Sequence, residues 1–251
     1  MSVLIETDQP KPGILIVDDE PDILFILSKT FDSDKFAVDT AANGTEAIEK
    51  ISINTYSLIL LDLNMQPING VEVLAALRKI NQETAVIILT AHSTLDSAIE
   101  ALRLGAFDYL IKPVEPAEIR LRASAALKQY ERNHLFAQNL ARSPEMPAPS
   151  SVLQHGELTL DLRERTAVLS GKPLDLTTTE FNLLLSLVQA SPRPVLPARL
   201  VSQTLGYTCS SPEAADIIKF HIHHLRQKLE PDPLNPRYIK TVRFQGYLWC
   251  G

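Results

Sequence analysis

The sequence predicts two domains in series: a (βα)5 doubly wound parallel α/β sheet, then a smaller α+β domain in which three helices are closed by a β-hairpin. Three observations lead there. Short apolar runs alternate with longer helical patterns through the first half. The stretch Ser143–Ser151, rich in Pro and Ser and without apolar periodicity, then interrupts the chain as a linker. Beyond it, a basic helical pattern is followed by a strand-turn-strand around Gln245-Gly246.

Strands are expected at Ile14–Val17, Phe36–Thr40, Leu58–Leu61, Ala85–Leu89 and Tyr109–Ile111. The runs Ile-Leu-Ile-Val, Leu-Ile-Leu-Leu and Val-Ile-Ile-Leu are continuous rather than alternating, as parallel strands covered on both faces require. Helical patterns occupy Pro21–Phe31, Thr45–Ile53, Val71–Ile80 and Thr94–Leu104, and a long one runs from Pro116 to Arg142. That last segment has no Gly or internal Pro; Ile119, Ala123, Ala126, Tyr130, Asn133, Ala137 and Leu140 follow 4- and 3-residue steps, a weak coiled-coil seam, and the favoured reading is core packing followed by a fraying, solvated helix. In the second half, strands are expected at Glu157–Asp161 and Ala167–Leu169, then a turn at Gly171-Lys-Pro. Thr177 and Glu180 form a capping-box pattern ahead of the stripe Phe181, Leu184, Leu185, Leu187, Val188. Helices near Ala198–Leu205 and Glu213–Leu229 and strands at Tyr238–Arg243 and Tyr247–Trp249 complete a winged helix-turn-helix pattern. The expected divisions are an extension over 1–12, a first domain over 13–142, a linker over 143–153 and a second domain over 154–251.

Composition limits the function classes. The 251 residues are 45% hydrophobic and 22% charged, which excludes wholesale disorder. No apolar run approaches the ~20 residues of a membrane span, and two cysteines make neither a disulfide framework nor a four-thiolate zinc site, so a cytoplasmic chain is expected. The net charge of −6 argues against nucleic acid as a partner, but it is unevenly distributed. Residues 1–142 carry 13 Lys/Arg against 20 Asp/Glu, whereas Arg193–Gly251 carries 8 against 4 and three of the six histidines.

In an open parallel sheet, ligands bind outside the carboxyl ends of the strands. Asp18 and Asp19 follow the first expected strand, Asp62 the third, Thr90 the fourth and Lys112 the fifth. Clustered carboxylates repel one another, and a hard divalent cation such as Mg²⁺ relieves that repulsion. A carboxylate beside such a cation can act as a nucleophile toward phosphorus, with Lys112 neutralising the phosphoryl oxygens.

At these positions Val17-Asp-Asp-Glu20, Leu60-Leu-Asp62, Leu89-Thr-Ala91 and Asp108-Tyr-Leu-Ile-Lys-Pro113 resemble the receiver domain of two-component response regulators, over roughly residues 13–128. The resemblance implies that Asp62 accepts a phosphoryl group from a sensor histidine kinase, with Asp18, Asp19, Asp62 and the Asn64 carbonyl placing Mg²⁺. It implies that Thr90 and Lys112 bind the phosphoryl group beside the small Ala91, and that Tyr109 swings inward as Thr90 moves. It also implies a cis bond at Lys112-Pro113, and catalysis confined to the receiver's own phosphorylation and dephosphorylation, so that the chain is not otherwise an enzyme. Receivers usually carry Pro four residues after the acceptor; here Gln66 stands there and Pro67 follows.

In the second half, Ile218, Ile222, Leu225 and Leu229 make an inward stripe, leaving Lys219, Phe220, His223, His224, Gln227 and Lys228 largely outside it. Such a helix fits a major groove. Thr178-Thr-Glu-Phe-Asn-Leu-Leu184, His221-Ile-His-His-Leu-Arg-Gln-Lys-Leu229, Ile239-Lys-Thr-Val-Arg243 and Gly246-Tyr247 resemble the OmpR/PhoB-type DNA-binding domain. The resemblance implies double-stranded DNA as partner. Its contacts are assigned to Lys219, Phe220, His221, His223, His224, Arg226 and Lys228 on the helix, and to Thr241 and Arg243 on the wing. It places 206–212 where family members can contact RNA polymerase. Three departures affect the DNA surface: Asp216 stands where Arg is often found, His223 and His224 stand where Arg is usual nearby, and Phe244 replaces a usual Gly on the wing.

The same resemblance implies a homodimer on activation, through a two-fold face to which Asp108, Glu118 and Arg122 belong. Ala98 stands where a basic residue is usual, and Arg103 where an acidic one is common. The expectation is therefore a phosphorylation-dependent transcription regulator. The alternative is an atypical regulator that binds DNA or a partner protein independently of phosphorylation.

Overall fold

The computed structural model describes residues 11–32, 35–80, 83–91, 104–142 and 152–251, with side chains of 133–142 left aside. The expected helix at Thr94–Leu104, with Ala98 and Arg103, falls outside these residues except for Leu104, as does the 143–151 linker.

The first domain is built on β1 (Gly13–Val17), β2 (Ala37–Ala41), β3 (Leu58–Asp62), β4 (Ala85–Thr90) and β5 (Asp108–Ile111). All pairs are parallel and the order is β2-β1-β3-β4-β5. Successive residues of each apolar run point to opposite faces, and each face acquires its own core. Ile14, Ile16, Leu58, Leu60, Ile87 and Leu89 pack toward α1 (Pro21–Phe31) and α4 (Pro116–Arg142). Leu15, Val17, Ile59, Leu61, Val86 and Ile88 pack toward α2 (Gly44–Ile53) and α3 (Gly70–Ile80). Both faces are covered, so alternation is absent from the sequence. Asn43 caps α2 by accepting from the Glu46 N–H, an interaction worth about 1 kcal/mol.

The second domain opens with an antiparallel sheet, β6 (Val152–His155), β7 (Leu158–Asp161), β8 (Thr166–Leu169) and β9 (Lys172–Leu174), in sequential order. The sequence predicts only β7 and β8 of these. β6 is a four-residue strand beginning directly after the Pro/Ser-rich stretch. β9 contains Pro173, which a sheet tolerates because β9 is its edge. The turn lies at Ser170 and Gly171, both at positive φ, so Lys172 and Pro173 belong to the strand rather than to the turn.

Three helices follow: α5 (Thr178–Ala190), α6 (Pro197–Thr204) and α7 (Ser211–Leu229), then the hairpin β10 (Ile239–Val242) and β11 (Gly246–Trp249). Thr177 and Glu180 close the expected capping box on α5. Glu230 turns the chain from α7 into β10, its carboxylate accepting from the N–H groups of Arg237 (2.7 Å), Tyr238 (2.9 Å) and Ile239 (2.8 Å). Gly246 is required where it stands: φ is +101°, and a Cβ there would meet the Val195 carbonyl oxygen at 2.0 Å. No helix among the described residues is long and apolar enough to cross a membrane.

Candidate functional site

The parallel register delivers the acidic crevice. Val17 is level with Leu61, and Asp62 with Leu89, so Asp18, Asp62 and Thr90 leave the sheet side by side at its carboxyl edge. One oxygen from each of Asp18, Asp19 and Asp62 lies within 4.8 Å of the others. Asp18 and Asp62 are buried and Asp19 is exposed. Lys112, one residue beyond β5, reaches back into the group, its Nζ 2.6 Å from Asp18 Oδ2 and 2.9 Å from Asp62 Oδ2. The second oxygens are also held. Asp18 Oδ1 accepts from the Glu20 N–H at 3.0 Å, and Asp62 Oδ1 from the Asn64 N–H at 3.1 Å.

Burial pushes the Asp18 carboxyl above its ordinary range, against the pull of Lys112. Burial also opposes the Lys112 ammonium, but Asp18 and Asp62 outweigh it and hold that pKa above the usual value. Three carboxylates share a single close ammonium, so the crevice suits a further hard cation with oxygen ligands. Thr90 is buried, and Ala91 lies exposed beside it. Lys112-Pro113 is cis, as is Gln66-Pro67 in the loop after Asp62. Glu20, quoted in the first motif but given no role by sequence, stands 3.7 Å from Lys112.

A second polar centre joins the two domains. Arg122 of α4 is only 1% exposed, and its guanidinium donates to Asp108 Oδ2 (2.8 Å), Glu118 (2.8 Å), the Tyr207 hydroxyl and Glu213. Tyr207 donates in turn to Asp108 Oδ2 at 2.7 Å, and its ring lies 4.0 Å from the Arg122 guanidinium carbon. Burial and the neighbouring Asp108 raise the Tyr207 hydroxyl pKa, so it stays a donor. Burial disfavours the charge on Arg122, but Asp108 overcomes that and raises its pKa too. Alongside, Phe220 of α7 sets its ring edge-on to Tyr109 with centroids 5.8 Å apart, and both pack on the Leu15–Ile59 core layer. Burial, then Asp108, pushes the Tyr109 hydroxyl up to about 12. Thus Asp108 and Arg122, assigned with Glu118 by resemblance to a contact between two copies, here bind the chain's own 207–213 segment, and Glu118 pairs with Arg122.

Lys219, His223 and Gln227 are exposed along one stripe, and Gln227 lies 3.1 Å from His223. His221 and His224 are buried, and burial pushes the His221 imidazole pKa down to about 4, keeping it neutral near pH 7. Ile217, His221 and His224 form a second inward row beside Ile218, Ile222 and Leu225, because α7 packs against both α5 and α6. Lys228 reaches the buried Glu180 at 2.7 Å. Arg226 donates to the Ile239 carbonyl at 2.8 Å and to the Thr241 hydroxyl at 2.9 Å, stapling α7 to the wing. Lys240, Thr241 and Arg243 are exposed on the hairpin.

Comparison with known proteins agrees with this architecture. Residues 14–124 match the family described as response regulator receiver domain, and residues 171–249 match transcriptional regulatory protein, C terminal. The chain is 32% identical to the transcriptional regulatory protein PrrA of Mycobacterium tuberculosis, covering 97% of this chain and 98% of that one. It is 33% identical to the probable transcriptional regulator ycf27 of Porphyridium aerugineum, over 95% and 96% of the two chains. Among solved structures, a RitR mutant has the same fold, with a TM-score of 0.64 at 23% identity over 95% and 98% of the chains. The acidic crevice thus belongs to a receiver and the three-helix unit with its hairpin to a DNA-binding domain, and the chain belongs to the OmpR/PhoB-type response regulators of two-component systems, a family of transcription regulators.

Proposed function

We propose that Asp62 takes a phosphoryl group from a sensor histidine kinase in the cytoplasm, and that this event releases the DNA-binding domain from the receiver. The observation that carries the reading is the placement of Lys112 Nζ within 2.9 Å of Asp62 and 2.6 Å of Asp18. A carboxylate held at the mouth of the crevice beside a cationic donor has the arrangement needed for in-line attack on phosphorus. An Asp62 oxygen forms the new P–O bond as the P–N bond to the kinase imidazole breaks and the imidazole departs. Lys112 then follows the charge onto the phosphoryl oxygens and gives up part of its hold on Asp18. Asp18, Asp19, Asp62 and the Asn64 carbonyl would hold Mg²⁺, which supplies charge neutralisation at the phosphoryl oxygens. The chain catalyses only the gain and loss of its own phosphoryl group.

The Thr90 hydroxyl then turns toward the phosphoryl group, and Tyr109 follows it inward. Phe220 rests on Tyr109, so this movement undermines the contact holding α7 against the receiver. Once free, α7 presents Lys219, His223 and Gln227 to a major groove. Asp108, Glu118 and Arg122 become available for a homodimer, which helps because two tethered DNA-binding domains bind more tightly than one. The 206–212 loop, the proposed RNA polymerase contact, is exposed by the same step, because Tyr207 leaves the interface.

Incubated with a small-molecule phosphodonor and Mg²⁺, the wild-type chain should shift in Phos-tag electrophoresis and Asp62→Ala should not. An equal shift in Asp62→Ala moves the acceptor elsewhere. No shift in either, with DNA binding intact, favours the phosphorylation-independent regulator.

A further inference from the structure

The tip of the β10–β11 hairpin carries a residue that the folded chain does not use. Phe244 is 86% exposed, and its φ of +63° lies in the left-handed region that a bulky side chain rarely adopts. The turn around it is closed by the Gln245 N–H donating to the Val242 carbonyl at 3.0 Å, which fixes the ring at the apex. The Arg243 guanidinium lies against the ring, its carbon 4.8 Å from the centroid. Lys240, Thr241 and Arg243 are also exposed along this hairpin. A glycine would suit this backbone, yet a large apolar ring occupies it in a strained conformation beside the Arg243 guanidinium.

That combination matches how minor-groove proteins deform DNA. An apolar wedge such as Phe partly enters a base step while adjacent Arg or Lys side chains lie along the narrow, negative groove. We propose that Phe244 is a minor-groove wedge: its ring enters between two base pairs beside the major-groove site of α7, with Arg243 flanking it and the duplex bending away from the wing. This inference rests on the reading of the hairpin as DNA-facing. Flexible pyrimidine–purine steps unstack most readily, so the wedge makes the chain selective for a step that its hydrogen-bonding groups do not read.

The test uses the full-length chain with phosphodonor and Mg²⁺. Duplexes enriched by the wild type from a random pool are end-labelled with a fluorophore pair, and bend and affinity are measured for wild type, Phe244→Gly and Phe244→Trp. Wild type and Phe244→Trp should bend the duplex by at least about 20°. Phe244→Gly should lose that bend and bind about tenfold more weakly, given the usual strength of base–aromatic stacking. Its thermal stability should be equal or higher, because Gly relieves the backbone. An undistorted duplex with wild type, or the same bend with Phe244→Gly, overturns the wedge while leaving a DNA-facing wing in place. If the wild type enriches no duplex, the DNA-facing reading fails and the wedge fails with it.

Discussion

Arg122→Met should raise the DNA affinity of the unphosphorylated chain by at least about tenfold, because breaking a buried ion pair costs about 3–5 kcal/mol and each 1.4 kcal/mol is a tenfold change in equilibrium. The guanidinium touches Asp108, Tyr207 and Glu213 together, as no other group among the described residues does. Without it, buried Asp108 keeps the Tyr207 hydroxyl and the Tyr109 N–H but has lost its cation, and Glu213 loses the same guanidinium. Met keeps most of the volume, so the receiver core around Ile119, Ala123 and Ala126 has no cavity to close. Part of the lost energy belongs to the receiver's own Arg122–Asp108 contact, which is why the expected gain is smaller than the full pair energy. Tyr207→Phe attacks the same interface from the other domain and spares that contact, and should raise affinity in the same direction by less. Fluorescence anisotropy with a duplex enriched by the wild type measures both, and small-angle scattering should show an expanded chain. Unchanged affinity together with an unchanged scattering profile would remove Arg122 from the control of DNA binding.

Gly70→Ala should destabilise the receiver by about 3 kcal/mol and impair phosphorylation with it, since overpacking against rigid backbone falls at the upper end of such substitutions. A Cβ on Gly70 would lie 2.1 Å from the Asp62 carbonyl oxygen and 2.8 Å from Leu63 Cα. Neither atom belongs to a flexible side chain. The Gly70 N–H also donates to the Leu63 carbonyl at 3.1 Å, so α3 cannot back away without losing that bond. The nearest relief is to displace the segment carrying the acceptor carboxylate. Gly171→Ala is the control: its Cβ meets nothing within 4 Å, leaving only the strain of a φ of +77°. Thermal melting should place the receiver transition of Gly70→Ala roughly 10 °C below wild type, with Gly171→Ala leaving it in place. A receiver transition at the wild-type temperature with full phosphorylation would show that the α3 start adapts freely.

The sheet was legible because parallel strands write themselves as unbroken apolar runs, and Ile14–Val17, Leu58–Leu61 and Ala85–Leu89 need no alternation to be read. The crevice was legible for a related reason. Asp18, Asp62, Thr90 and Lys112 each stand where an apolar run stops, and the topology brings such stops to one edge. β6 and β9 were not legible, being short, and in β9 interrupted by a proline that only an edge strand accepts.

The interdomain centre had no local signature. Arg122 meets Tyr207 and Glu213 across 85 and 91 residues; Tyr207 stands in the loop between two helical patterns and Glu213 only opens the second, so neither announces the contact. Sequence reasoning marked Asp108, Glu118 and Arg122 as a set, and the structure brings that set together against an intramolecular partner. On α7, a single inward stripe was read where packing against two helices buries two rows. That second row takes His221 and His224 inside and leaves His223 as the exposed imidazole of the three.

If the chemistry at Asp62 governs the availability of α7, DNA affinity must follow the state of that carboxylate. The most direct measurement is the affinity of wild type and Asp62→Ala for the same enriched duplex, each with and without phosphodonor and Mg²⁺. Affinity should rise for the wild type alone, with Asp62→Ala fixed at the unphosphorylated value. Equal affinities in all four mixtures, or an equal rise in both proteins, would contradict that dependence.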